Sequence, residues 1–212
     1  MIFCTMKIFG TITLALCVAA AVSCAPQNNE KEEGMKKTNE VIETIMARRS
    51  IRQYKAEPVA RETMDTILMC GINAPNGMNR QSWEVRVVDK PESVAKLKEL
   101  MVKANPEAKP EAVEGCFRNA PTLVFVANDP SYDFSAIDCG LLSENVMLSA
   151  WSLGVGSVCL GSPIRYIRNS PEALELLGFS EGYNPIICIG LGYPMENPDA
   201  KPRDESKVKF VE

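Results

Sequence analysis

Histidine is absent from this chain of 212 residues. That absence rules out a Ser-His-Asp triad, a Cys-His pair and any zinc or iron site built on imidazole, so a catalytic role would need another reactive group. Basic charge is in the minority: 23 Lys+Arg stand against 27 Asp+Glu, a formal net charge of −4. Most of such a surface repels an extended phosphate backbone, and nucleic acid is not an expected partner. No CxxC occurs. Past the N-terminal leader, Cys70, Cys116, Cys139, Cys159 and Cys188 form an odd set at irregular spacing, which suits neither a disulfide framework nor a metal cluster. Cys159 and Cys188 stand inside short apolar runs, where a small buried strand residue is expected. Missing too are internal repeats and the strand, Gly-rich turn and helix of a Rossmann unit; Gly154-Val155-Gly156 has the wrong spacing and follows a helical segment.

What is present begins with an addressing segment. Lys7 precedes a nearly unbroken apolar run from Ile8 to Val22, and Ala21-Val22-Ser23-Cys24 then puts small residues before a cysteine. The arrangement resembles a bacterial lipoprotein signal. It implies that residues 1–24 are a signal peptide, that Cys24 is lipidated, and that residues 25–38 are a polar tether. The expected place is the cell envelope, with the membrane touched only through the lipid anchor. Three alternatives stay open: ordinary cleavage after Ala25, translation from Met35 to give a cytoplasmic protein, and an uncleaved anchor, short at about 15 apolar residues where a span needs roughly 20.

Residues 39–212 have room for one domain with a hydrophobic core. Val41, Ile42, Ile45 and Met46 recur at helical spacing after a Thr38 N-cap, and a second helix is expected from near Pro58 to the turn Ala74-Pro75-Asn76-Gly77. Further helices are expected over Pro91–Ala104, over Ser135–Leu153, and after Ser170-Pro171, where an N-cap, an N1 proline and a C′ glycine, Gly178, stand in their usual places. In the long Ser135–Leu153 helix, Ile137, Leu141, Leu148 and Trp151 share a face and small residues keep the girth low, which predicts close packing on another helix, of this chain or of a second subunit. Strands are expected at Trp83–Val88, at Thr122–Ala127 buried on both faces, at Val155–Leu160, and at Pro185–Leu191 in a central position. Lys207–Glu212 alternates as an edge or exchanged strand would. The class is mixed α and β, with four or five strands.

The densest chemistry is Arg48-Arg49-Ser50-Ile51-Arg52. Guanidinium forks match phosphate oxygens bidentately and do not titrate, so the cluster can hold a phosphorylated cofactor. The competing explanation is that cations in a helix's last turn offset its dipole and stay solvated. A second set of donors, Lys201-Pro202-Arg203, and the amides of Asn79 and Gln81 favour the first explanation.

Four segments in order complete a pattern: Arg48-Arg49-Ser50-Ile51-Arg52; Ala74-Pro75-Asn76-Gly77-Met78-Asn79-Arg80-Gln81-Ser82-Trp83; Leu153-Gly154-Val155-Gly156-Ser157-Val158-Cys159-Leu160-Gly161; and Gly190-Leu191-Gly192-Tyr193-Pro194 leading to Lys201-Pro202-Arg203. From about residue 40 to the C-terminus the chain resembles the FMN-dependent nitroreductase family. The resemblance implies an α+β homodimer with a central, mostly antiparallel sheet flanked by helices, FMN at the subunit interface and the C-terminal strand exchanged. It implies that Arg48, Ser50 and Arg52, with Arg49 adjacent, hold the phosphate and ribityl chain, and that Lys201 and Arg203 close on the phosphate. Asn79 from the other subunit would meet the flavin ring, with Gln81 nearby, while Gly161 and Ser162 would bring backbone close to it. Ser82 departs from the family's usual proline, and the segment between Val102 and Pro121 is short, which leaves the substrate class open.

The implied activity is an oxidoreductase that passes reducing equivalents from NADH or NADPH through FMN to a nitroaromatic, quinone or similar flat acceptor by a ping-pong route. A chain without histidine can do this, because the flavin supplies the redox chemistry. Two other readings remain: a flavin-binding lipoprotein without turnover, acting as carrier or sensor, and a colourless, lipid-tethered interaction module whose basic clusters are solvated faces.

Overall fold

The structure, a computed structural model, describes residues 37–211. The signal peptide, Cys24 and nearly all of the tether lie outside the described residues.

Asn39 caps the first helix α1, Glu40–Ala47, by accepting from the Ile42 amide at 3.0 Å. The cap is one residue past Thr38, whose hydroxyl instead donates to Glu43 at 3.2 Å. α2 covers Arg61–Ile72, three residues after the expected start, because Val59 is buried and its amide donates to Thr122 Oγ1 at 3.1 Å in non-helical backbone. Next come β1, Trp83–Val88, and α3, Pro91–Ala104, which buries Leu97, Leu100 and Met101. After the break at 105–109, the short α4, Pro110–Glu114, had no expectation behind it. β2, Thr122–Asn128, is buried along its whole length. α5, Ser135–Ser152, β3, Gly156–Leu160, and α6, Ser162–Arg168, follow; α6 was also not foreseen. In α7, Pro171–Leu177, the Ser170 side chain accepts from the Ala173 amide, and Gly178 closes the helix at φ +62°. β4 is Asn184–Gly192.

The four strands form one antiparallel sheet in the order β1-β2-β4-β3. This is the expected α+β class, with the Pro185–Leu191 segment inside the sheet. Period-2 alternation sends Leu123 and Phe125 of β2 into a core with α3, α6 and α7, and Val124 and Val126 into a second core with α2 and α5. Helices therefore cover both faces.

Of three further expectations one, for Cys159, needs correction, and two concern surfaces that a single chain leaves uncovered. The face of α5 that packs in the protomer is Cys139, Leu142, Val146 and Ala150, whereas Ile137 and Leu141 are exposed. The close helix contact is made by α2, where a Cβ on Gly71 would come within 2.6 Å of Val146. Cys159 is exposed, not buried, because β3 is the edge strand. Lys207–Val211 is no strand in the single chain: Glu205–Lys207 form a 3-10 turn, and Val208 and Phe210 are 78% and 95% exposed, with no strand among the described residues pairing to them.

All five described cysteines are free thiols. Burial pushes the Cys116 and Cys139 thiols up to about 12, so neither is a nucleophile near neutrality. Among the described residues no helix is long and apolar enough to cross a membrane, and no group of three or more potential ligands could hold a metal ion.

Candidate functional site

The two ends of the domain meet at one cleft. Where α1 ends, Arg48 is its C-cap, and the chain turns to run beside β3: Ser50 forms a parallel bridge with Ser157, and the Ile51 amide donates to the Ser157 carbonyl at 2.9 Å. Ile51 is wholly buried and seats against Gly156, where a Cβ would come within 3.0 Å of three of its atoms; glycine is required there by close approach. With Ile51 pointing in, its neighbours Ser50 and Arg52 face outward.

The segment after β4 is fastened to this one. Lys55 donates to the Tyr193 carbonyl and Met195 to the Gln53 carbonyl, both at 2.9 Å, and Tyr54 bridges to Pro194. Glu196 Oε1 accepts from the backbone amides of Arg52 and Gln53. The Tyr54 hydroxyl donates to the Ile51 carbonyl, and burial followed by the nearby Glu196 charge raises its pKa, so it remains a donor. These ties bring residues 198–203 over the arginine segment.

Between them lies a cleft of about 440 Å³ whose walls carry Arg48, Arg49, Ser50, Arg52, Lys201 and Arg203. All six residues picked out as phosphate and ribityl contacts thus converge, although about 150 positions separate the two groups. Ile45 and Met46 of α1 form its apolar side, and Glu144 of α5 and Asp199 add carboxylates. Arg48 Nε stands 3.7 Å from Glu144 Oε1. Among the described residues, Arg49, Arg52, Lys201 and Arg203 have no carboxylate partner within ion-pair distance, and their guanidinium contacts are with nearby backbone carbonyls. Concentrating five cations on one cleft of an acidic protein is unfavourable unless an anion joins them. That donor set fits a phosphate monoester. Glu144 gave no sequence signal, because a carboxylate on a long helix looks like any solvated one.

The other four expected residues do not line this cleft. Asn79 and Gln81 are exposed on the loop between α2 and β1, and Gly161 and Ser162 are exposed where β3 passes into α6. Cys159, two residues before Gly161, keeps a raised thiol pKa although its surface is open to solvent, because neighbouring atoms still desolvate the sulfur in part and the Glu144 carboxylate adds to the effect. A larger depression of about 660 Å³ follows the outer face of α2 past Arg61, Asp65 and Cys70. It collects no comparable set of donors, since Arg61 is already paired with Asp65 at 2.9 Å. Volume alone does not make it the site.

Comparison with known proteins follows the same lines. The model of the "Nitroreductase family" matches residues 45–193. An NADPH-flavin oxidoreductase from Vibrio harveyi is 34% identical over 182 residues, covering 78% of this chain and 70% of that protein. An FMN reductase [NAD(P)H] from Bacillus subtilis is 31% identical over 179 residues, again 78% of this chain and 70% of the relative. Among solved structures, a nitroreductase with bound FMN from Bacteroides fragilis superposes with a TM-score of 0.74 at 30% identity, covering 82% of this chain and 100% of the other.

Proposed function

This chain belongs to the nitroreductase family, and from that premise we propose that it is an FMN-dependent oxidoreductase that passes electrons from NADH or NADPH to a flat acceptor such as a nitroaromatic or a quinone. The observation that carries the reading is the convergence of Arg48, Arg49, Arg52, Lys201 and Arg203 on one cleft. FMN, when bound, supplies hydride acceptance and release. The protein's own residues hold and orient. Arg52 and Arg203 clamp the phosphate from opposite segments, Ser50 and Glu144 offer a hydroxyl and a carboxylate to polyol hydroxyls, and Ile45 and Met46 exclude water from one side.

Gly161, Ser162, Asn79 and Gln81 belong in this reading to the ring end of the cofactor, with Asn79 and Gln81 contributed by a second copy of the chain. Assembly as a homodimer is part of the proposal. Its support is the unpaired C-terminal segment and the exposed apolar residues of α1 and α5. A non-catalytic flavin carrier or a cofactor-free interaction module would leave the cleft without turnover or without flavin. Protein expressed from Lys36 onward is expected to purify yellow and to bleach on anaerobic addition of NADH or NADPH. Colourless protein that takes up no added FMN overturns the proposal, and yellow protein reduced by neither nucleotide leaves the carrier.

The envelope location is proposed on the Ala21-Val22-Ser23-Cys24 sequence alone. If Cys24 is processed, Lys7 is the only charge removed, leaving 22 basic and 27 acidic side chains, a net of −5 that holds the domain off an anionic bilayer at the end of its tether. Full-length protein is then expected in the membrane fraction with labelled palmitate incorporated, and Cys24→Ala is expected to abolish the labelling. Soluble, unlabelled protein beginning at Met35 would point instead to a cytoplasmic enzyme.

A further inference from the structure

The loop that carries Asn79 and Gln81 has an unusual backbone. Met78, Asn79 and Gln81 have φ of +50°, +52° and +49°, a left-handed region that glycine enters freely and that L residues other than asparagine and aspartate seldom enter. Three such residues within four positions, all exposed, gain little from burial and need to be held from outside. Asn76 holds the middle, its Oδ1 accepting from the Gln81 amide at 2.9 Å. Asp138 holds the ends. Its Oδ1 accepts from the Gly77 amide at 3.1 Å and its Oδ2 from the Ser82 hydroxyl at 3.3 Å.

Asp138 is 3% and Ser82 4% exposed, so this carboxylate is taken out of water to make those two bonds. It lies in the first turn of α5, whose N-terminal amides favour negative charge there. Serine at position 82 matters twice. It supplies the hydroxyl, and it leaves Gln81 free to be left-handed, whereas proline at 82 would push Gln81 to extended backbone.

We propose that Asp138 is a positioning residue: its buried carboxylate clasps both ends of the 77–82 loop and so fixes where Asn79 and Gln81 stand, which sets the fit of the acceptor. The second half of the proposal rests on the flavin reading above; the first half does not.

The test compares Asp138→Ala, Asp138→Asn and Ser82→Pro in the dimer-competent protein from Lys36 onward. Amide hydrogen exchange of residues 75–83 is expected to accelerate about ten-fold or more in Asp138→Ala, which strips the Gly77 amide of its partner. Asp138→Asn is expected to stay near wild type, because a carboxamide can accept from Gly77 and donate to Ser82 Oγ. A role confined to charge at the α5 terminus predicts the opposite, that asparagine fails as badly as alanine. With p-benzoquinone as acceptor and FMN supplied in excess, Asp138→Ala and Ser82→Pro are expected to raise KM about five-fold or more, because the phosphate clamp keeps the cofactor in place while the residues at its ring end are misplaced.

Unaltered exchange in Asp138→Ala overturns the clasp. Accelerated exchange with unaltered KM overturns its role in acceptor fit. Wild-type protein that never holds FMN condemns the functional reading, while the exchange result still decides the clasp. Should Asp138→Ala fail to fold, Ser82→Ala removes one arm only and is expected to show a smaller acceleration in the same residues.

Discussion

Replacing Arg52 and Arg203 together with alanine is expected to yield folded, colourless protein. The two guanidiniums reach one cleft from segments that are far apart in the chain, so each variant alone leaves a partial clamp. A hydrogen bond to a charged group contributes about 1.5–3 kcal/mol, and the double loss therefore amounts to about 3–6 kcal/mol, or roughly 10²–10⁴ in FMN affinity. Partial solvation of both side chains favours the lower end of that range. Stability is expected to change little, because both residues are exposed and neither forms an ion pair with a described residue. Isothermal titration of apoprotein with FMN measures the effect directly. Unchanged affinity in the double variant would remove the cleft from consideration as the phosphate site, whatever the protein's colour.

The strands and the phosphate donors were legible in the sequence for a physical reason. β2 and β4 are inner strands buried from both sides, so their segments must be continuously apolar, and turn residues mark where that stops. Arg48 to Arg52 stood out because so many cations in so few residues are costly without an anion. α6 was missed because Ser162-Pro163 after Gly161 looks like a loop, and the whole helix has only seven residues before Asn169. The apolar run Val158-Cys159-Leu160 marks a strand, yet it could not show that β3 is the sheet edge and that Cys159 would be left uncovered. Asp138, Glu144 and Glu196 passed unnoticed because a carboxylate's role depends on which amides and cations tertiary structure brings to it. The left-handed residues 78, 79 and 81 were hidden in the same way, since Asn76-Gly77 signals a turn without fixing its dihedrals.

A protein with Val41→Glu and Ile137→Glu is expected to be a monomer that also loses its flavin, although neither side chain lines the phosphate cleft. α1 is eight residues long and buries none of them in the protomer, with Val41 65%, Ile45 49% and Met46 70% exposed. Isolated helices of that length are marginal in water, so something else must cover its apolar face. α5 contacts α1 and leaves Ile137 59% and Leu141 41% exposed, which extends the uncovered surface, and Val208, Phe210 and Val211 add a segment that no described strand pairs with. A second copy satisfies all three. Burying one such side chain contributes about 1.5–3 kcal/mol, and placing two carboxylates on this uncovered apolar face should weaken the proposed dimer by at least about 10³. Ile45 and Met46 belong both to this face and to the cleft, and Asn79 is assigned to the partner's flavin, so assembly and cofactor binding are linked: FMN should tighten the dimer as much as the dimer tightens FMN. Sedimentation velocity read at a flavin wavelength checks this. A flavin-loaded monomer in the double variant would separate the two equilibria and place the whole cofactor site within one chain.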